Sequence, residues 1–308
     1  MVLVGTEIGD PISEAAVVAG AGVGQQELFH ATRSEAFCQP EYRDRRRLTG
    51  RRGIGWHRSS FAWWRRAARH AARNWLVGVC DAGSDGLEGV DQYVARARQS
   101  IPGRDAIFAV MLAVLEGRVA AAGRVLVVGA GGGEEVVTLA SARPDWQITG
   151  VDPSSVMLDL AQRRVDAAGL AGSVRLVLGT VEALPPVASE RFDGATCILV
   201  AHFVPDDGRR AALYASIRTR LATGGSLIVV SGTRNRSDLA FDLHVEAWRH
   251  HARRRGAEPD MLGQMVESAL VLPMLAEERE VDLLHIAGFS SVVRIYQALL
   301  FTGWIALA

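Results

Sequence analysis

From residue 89 onward the chain alternates short, almost unbroken apolar runs with longer segments of helical spacing. Apolar positions three and four apart predict helices over 89–100 and 102–121, and Pro102 suits a first helical turn. The run 124–128 predicts a buried strand, the glycine-rich 129–133 a tight turn, and 134–142 a helix. The pattern repeats as strand 147–151, helix 154–168, strands 174–178 and 194–200, helix 208–221 and strand 226–231. A helical stretch over 239–270, a helix over 275–287 and strands over 291–297 and 299–306 complete the chain. Strands that are continuously apolar and separated by helices belong to a parallel sheet covered on both faces. The last two strands are too close together for a helical crossover and must pair as an antiparallel hairpin at or near the sheet edge. The expected fold is α/β: a Rossmann-like, doubly wound, seven-stranded and mostly parallel sheet with an antiparallel C-terminal hairpin.

Residues 1–88 do not share this texture. Between Glu41 and Trp75 lie eleven Arg, two His and four of the seven Trp, against only Glu41 and Asp44. Such a segment can serve as a basic arm for nucleic acid, or around 59–74 as an amphipathic surface helix. The plainer reading, adopted here, is a poorly ordered Arg/Trp-rich extension, with 81–88 as a linker to a domain spanning 89–308. All 34 basic residues of Lys+Arg type are Arg, a bias expected of a GC-rich coding sequence, and the formal net charge is zero. The chain as a whole therefore has no electrostatic pull toward nucleic acid or membrane. Glu7, Asp10 and Glu14 interrupt the apolar start, so no signal peptide is expected, and no run is long enough to span a bilayer. Cys38, Cys80 and Cys197 are scattered, with no metal-type pair and no disulfide framework; Cys197, in an apolar run, reads as a small buried residue. A cytoplasmic protein follows.

The chemistry begins at Gly129-Ala130-Gly131-Gly132-Gly133. A strand that turns through glycines into a helix presents backbone N–H groups to a ligand at the carboxyl end of a parallel sheet. The string alone suits NAD, FAD or S-adenosylmethionine. Asp152 ends the second strand 19 residues after Gly133, where a carboxylate can accept from both ribose hydroxyls. Glu134 stands where a dinucleotide fingerprint calls for Gly or Ala, which disfavours an NAD-dependent oxidoreductase.

With Gly179-Thr-Val-Glu-Ala-Leu-Pro185, Phe192-Asp193-Gly194 and Gly224-Gly225 in order behind these, residues 89–308 resemble the class I S-adenosylmethionine-dependent methyltransferases. Tyr93, Ile101-Pro102-Gly103 and the ending Ala287-Gly-Phe289 to Trp304 resemble a branch of small bacterial members. The resemblance implies that helices over 89–121 close on the cofactor and that 235–272 is a helical insert. It implies that Gly129, Ala130, Gly131 and Gly133 line the methionine moiety and Asp152 holds the ribose. Pro153 and Ser154 would pack near the adenine, Thr180 and Val181 would meet the base, and Ala201 and His202 would face the methyl group. Family members usually carry an acid two residues before the first glycine, where this chain has Val127. They often carry Asp at the position of Thr180, and an aromatic residue at that of Arg104.

Methyl transfer from a sulfonium is an in-line displacement, so alignment matters more than acid–base help. His202, at the end of the fourth strand, is the candidate base or acceptor-orienting group. Its other reading is a ring that packs under the cofactor. Tyr93 is a second catalytic candidate, reaching the cofactor carboxylate or the acceptor. Glu134 and Glu135 suit a helix N-terminus, and Glu134 also suits the cofactor's ammonium group. Only one of Arg96 and Arg98 can face inward. His244 and Trp248 share a helix face, which either packs or covers the acceptor. A metal site from His244, Glu246 and His250 is discounted, because 244 and 246 fall on different faces. The helix from Met261 suits a pocket wall or a dimer face. The expected activity is methyl transfer from S-adenosylmethionine, giving S-adenosylhomocysteine, to an O, N or C atom of a small molecule, by a monomer or homodimer. The alternatives are an RNA- or tRNA-nucleoside-modifying enzyme that uses the Arg-rich arm, and a methyltransferase-fold binding protein without catalysis.

Overall fold

The computed structural model describes residues 97–184, 191–234 and 238–308, all within the second of the two units (1–55 and 56–308) into which the chain divides. The proposed extension 1–88, with Cys38 and Cys80, lies outside the described residues, as do Tyr93, Arg96 and Pro185.

In chain order the elements are α1 (Arg104–Glu116), β1 (Arg124–Val128), α2 (Glu134–Ala142), β2 (Gln147–Asp152), α3 (Ser155–Ala167), β3 (Val174–Leu178), β4 (Phe192–Ile198), α4 (Arg209–Arg218) and β5 (Leu221–Gly232). They continue as α5 (Asp238–Arg254), α6 (Pro259–Val271), α7 (Glu277–Ile286), β6 (Ser291–Ala298) and β7 (Phe301–Leu307). The strands form one sheet in the order β3-β2-β1-β4-β5-β7-β6. The first five run parallel, and β7 lies antiparallel to both β5 and β6. The expected hairpin is present, but it folds back so that β7, not β6, borders the parallel strands. The chain direction at the hairpin cannot decide which arm docks; burial does. Phe301, Thr302, Trp304 and Ala306 are buried, whereas β6 is half-exposed along its length.

Strand β1 shows why apolar strands without alternation belong in the middle of such a sheet. Val125 and Val127 pack on one face with α1, α2, α5 and α6, while Leu126 and Val128 pack on the other with α4 and α7. All four are at most 4% exposed, so β1 is covered on both faces.

The helical stretch expected over 239–270 is built of two helices. Gly256, in the left-handed region at φ 84°, ends α5, and Pro259 opens α6 where its missing N–H costs nothing. Strand β5 begins at Leu221, five residues early, because Phe192 pairs with Leu221 before a register shift at Gly194. Polarity at Thr223–Gly225 hid that segment.

Trp248 of α5 is buried; its indole donates to the Ser100 carbonyl and its ring meets Phe301 edge-on at 6.2 Å. The packing role foreseen for this face is the one Trp248 fills, joining the insert to the segment before α1.

Candidate active site

The glycine turn is shaped by steric need. Gly129 has φ 76°, and a Cβ there would lie 2.3 Å from a Val200 methyl. Gly133 has φ 83°, and a Cβ would lie 2.7 Å from the Ala161 backbone, so only glycine lets α2 approach α3 this closely. Over Gly131 the nearest atom to such a Cβ is 3.6 Å away, which leaves the backbone there open to a ligand. The N–H groups of Gly129 and Ala130 both donate to the Val151 carbonyl, so they brace the loop on β2 and do not point at a ligand. The Ala130 methyl is buried in the core.

Asp152 stands at the end of β2 and locks the loop. Its Oδ2 accepts from the Gly131 N–H at 2.9 Å and its Oδ1 from the Ser154 N–H at 2.9 Å. Each oxygen keeps a further lone pair, so the carboxylate can still accept from a diol. Burial raises its pKa, and the two backbone donors oppose that shift. Pro153 is exposed and Ser154 caps α3, accepting from the Met157 N–H. Thr180 is half-buried at the start of a 3-10 turn (Val181–Ala183), but the Val181 side chain is only 1% exposed within the core. Val181 can therefore offer a base its backbone alone.

Past β4, Ala201 and His202 form a second 3-10 turn, and both are buried. His202 Nδ1 accepts from the Gly232 N–H at 3.0 Å, which places the ring proton on Nε2. Burial, aided by the positive charge of Arg210, lowers its pKa to about 3. A ring this weakly basic, already accepting at Nδ1, is poorly matched to proton abstraction. It is suited to presenting an Nε2–H donor.

The first turn of α2 carries the densest charge. No side chain caps this helix end. Glu134 contacts Arg98 at 3.0 Å and Arg104 at 2.6 Å. Of the two arginines, Arg98 is mostly exposed and Arg104 mostly buried beside Phe108. Glu135 points the other way, into the protein, where burial raises its pKa to about 7 against the opposing effects of Thr196 and Arg104. The sequence reading gave Glu135 only a helix-terminus role. Its spacing of four from Leu139, on the buried stripe of α2, was the available signal.

A buried ion pair was not foreseen at all. Arg210, fully buried on α4, donates to Glu280 of α7 at 2.7 Å and to the carbonyls of Val204 (2.8 Å) and Pro273 (2.5 Å). The Tyr214 hydroxyl donates to the other Glu280 oxygen. This knot fixes the loop after His202 and the segment leading to Met274, whose sulfur lies against Gly232. Cys197 is buried, as expected, and its thiol pKa is pushed up by that burial.

Residues 125–225 match the methyltransferase domain family. A ubiquinone biosynthesis O-methyltransferase of Stutzerimonas stutzeri is 30% identical over 120 residues, covering 39% of this chain and 49% of that protein. An O-methyltransferase of Aspergillus nomiae is 31% identical over 169 residues, covering 55% and 65%. The chain thus spans about half to two thirds of the length of these curated relatives. Among solved structures, an N,N-8-amino-8-demethyl-D-riboflavin dimethyltransferase from Streptomyces davawensis shares the fold at TM-score 0.51 and 17% identity, covering 74% of this chain and 60% of its own. The glycine turn braced on β2 and the acid that ends β2 fall within the matched span, and the β6–β7 hairpin lies beyond it. Over residues 125–225 the chain is therefore similar to methyltransferase domains, and it shares their fold.

Proposed function

We propose that the protein transfers a methyl group from S-adenosylmethionine to an O, N or C atom of a small-molecule acceptor. The observation that carries this reading is the Asp152–Gly131 lock, in which an acid at the end of β2 holds open a glycine turn beside an uncapped helix start. The residues fit such a cofactor: Asp152 would take the ribose hydroxyls, Gly131 and the first turn of α2 would take the methionine end, and Thr180 with the Val181 backbone would flank the base. Pro153 would border the adenine. When bound, the cofactor supplies an electrophilic methyl carried on a sulfonium. The chain's part is alignment. Ala201, with no bulk, leaves room at the end of β4, and His202 orients an acceptor through its Nε2–H, without taking its proton. The names of the curated relatives support a small-molecule acceptor. Among the described residues no helix is long and apolar enough to cross a membrane. A cytoplasmic location, as monomer or homodimer, completes the proposal, and Tyr93 remains a proposed contact to the methionine carboxylate or the acceptor.

Titration calorimetry with S-adenosylhomocysteine tests it. The folded protein binds, and Asp152→Asn weakens binding by about tenfold or more, as expected for lost hydrogen bonds to a charged group. No heat from folded protein overturns the reading.

A further inference from the structure

The outer side of α5 carries a charge pattern that the helix does not satisfy by itself. Asp242, Glu246, Arg249 and Arg253 are spaced four, three and four residues apart, so they line one stripe of the helix, and all four are exposed. Acids occupy the first half of the stripe and arginines the second. The helix dipole favours that polarity only in the first and last turns, whereas Glu246 and Arg249 sit near the helix centre. Asp242 lies beside Glu246 and Arg249 beside Arg253, like charges four residues apart that weaken an isolated helix. Among the described residues Asp242, Arg249 and Arg253 have no ion-pair partner, and Glu246 meets only His250, at 3.9 Å.

Such a stripe is complementary to itself run backwards. A twofold axis passing between Ala247 and Trp248 sets Glu246 opposite the partner's Arg249 and, in the same register, Asp242 opposite the partner's Arg253. Symmetry repeats both pairs, so one antiparallel contact gives every charge of the stripe an opposite charge. No other axis pairs all four residues. Beside the stripe, α5 and α6 border a groove of about 430 Å³ that includes Phe241, Val245 and Val266. Leu239 and Leu243 of the same helix are 71% and 55% exposed, apolar surface that gains from being covered.

We propose that this face of α5 joins two copies of the chain in an antiparallel, twofold-symmetric homodimer. The groove takes the aliphatic stems of the partner's arginines, whose charged heads stay with Asp242 and Glu246. The contact bears on the insert that packs against the site. Trp248, on the inward side of α5, holds the Ser100 carbonyl. Phe241 of the groove carries the Arg234 guanidinium 4.6 Å from its ring, two residues beyond Gly232. The dimer thus braces from outside a helix that these residues hold from inside. This selects the homodimer from the two states proposed above, and it stands independently of the cofactor assignment.

Sedimentation velocity on the full chain tests this. The wild type is a dimer that weakens about tenfold or more between about 0.1 M and 1 M salt, as the screening length falls from about 10 Å to about 3 Å. Glu246→Arg and Arg249→Glu, both at exposed positions that tolerate substitution, each weaken the dimer about tenfold or more, because two of the pairs become like-charged. Mixed in equal amounts, the two single variants dimerise as the wild type does, since every pair is again of opposite sign. A wild type that stays monomeric at low salt overturns the proposal and leaves the face to a different partner. A wild-type dimer that neither single change weakens, or single variants that do not recover on mixing, place any dimer contact elsewhere and overturn it as well.

Discussion

Replacing Arg210 by Met should show how much the domain depends on a charge pair it cannot expose. Arg210 and Glu280 are each 0% exposed. Without the guanidinium, Glu280 keeps only the Tyr214 hydroxyl, and the Val204 and Pro273 carbonyls lose their donors. Breaking a buried pair by removing one partner costs about 3–5 kcal/mol, mostly because the remaining charge is stranded. For a domain of this size that corresponds to a fall in Tm of roughly 6–20 °C. Denaturant unfolding of wild type, Arg210→Met, Glu280→Leu and the double variant forms the measuring cycle. The double variant should be clearly more stable than Arg210→Met, with a coupling of about 2 kcal/mol or more, because it removes the stranded carboxylate. A cost below about 1 kcal/mol for Arg210→Met, or a double variant no better than the single, would refute the reasoning.

Two further predictions concern protons. His202, with a pKa near 3, is neutral from pH 6 to 8, so its titration should leave no inflection in the kcat profile over that range; an inflection that disappears in His202→Asn would restore it as a base. For Glu135 the folded pKa, about 7, lies above the ordinary 4.5. The proton favours the fold, so that stability is present below pH 4.5 and is lost as pH rises through 7, by at most about 3 kcal/mol. Arg104 opposes this loss by favouring the charged form, and Thr196 acts in the same direction. Melting curves from pH 5 to 8 should therefore show the wild type losing ground against Glu135→Gln; a constant difference would mean the carboxyl is better solvated than the fold implies.

The strands β1, β2 and β3, the helices α2 and α3 and the glycine turn were legible because each is governed by neighbours in sequence. Unbroken apolar runs, a Ser154 cap and glycines between a strand and a helix act within a few residues of themselves. Asp152 was legible for the same reason, as the polar end of an apolar strand. What the sequence could not decide was which distant groups meet. Whether β6 or β7 borders β5 depended on whose side chains could be buried against the parallel strands. Arg210 and Glu280 are 70 residues apart and look like ordinary surface charges on two amphipathic helices until α4 and α7 pack together. Glu135 looked like one of a pair of helix-start acids, and only the closure of α2 over β4 turned it inward toward Thr196. His202 was placed after the fourth strand by sequence order, but its protonation could not be read there. That is set by the Gly232 N–H, by burial and by the charge of Arg210, all supplied by elements that only the tertiary structure brings to it. Local order follows from covalent neighbours. Burial, and with it the proton affinity of His202 and Glu135, follows from packing.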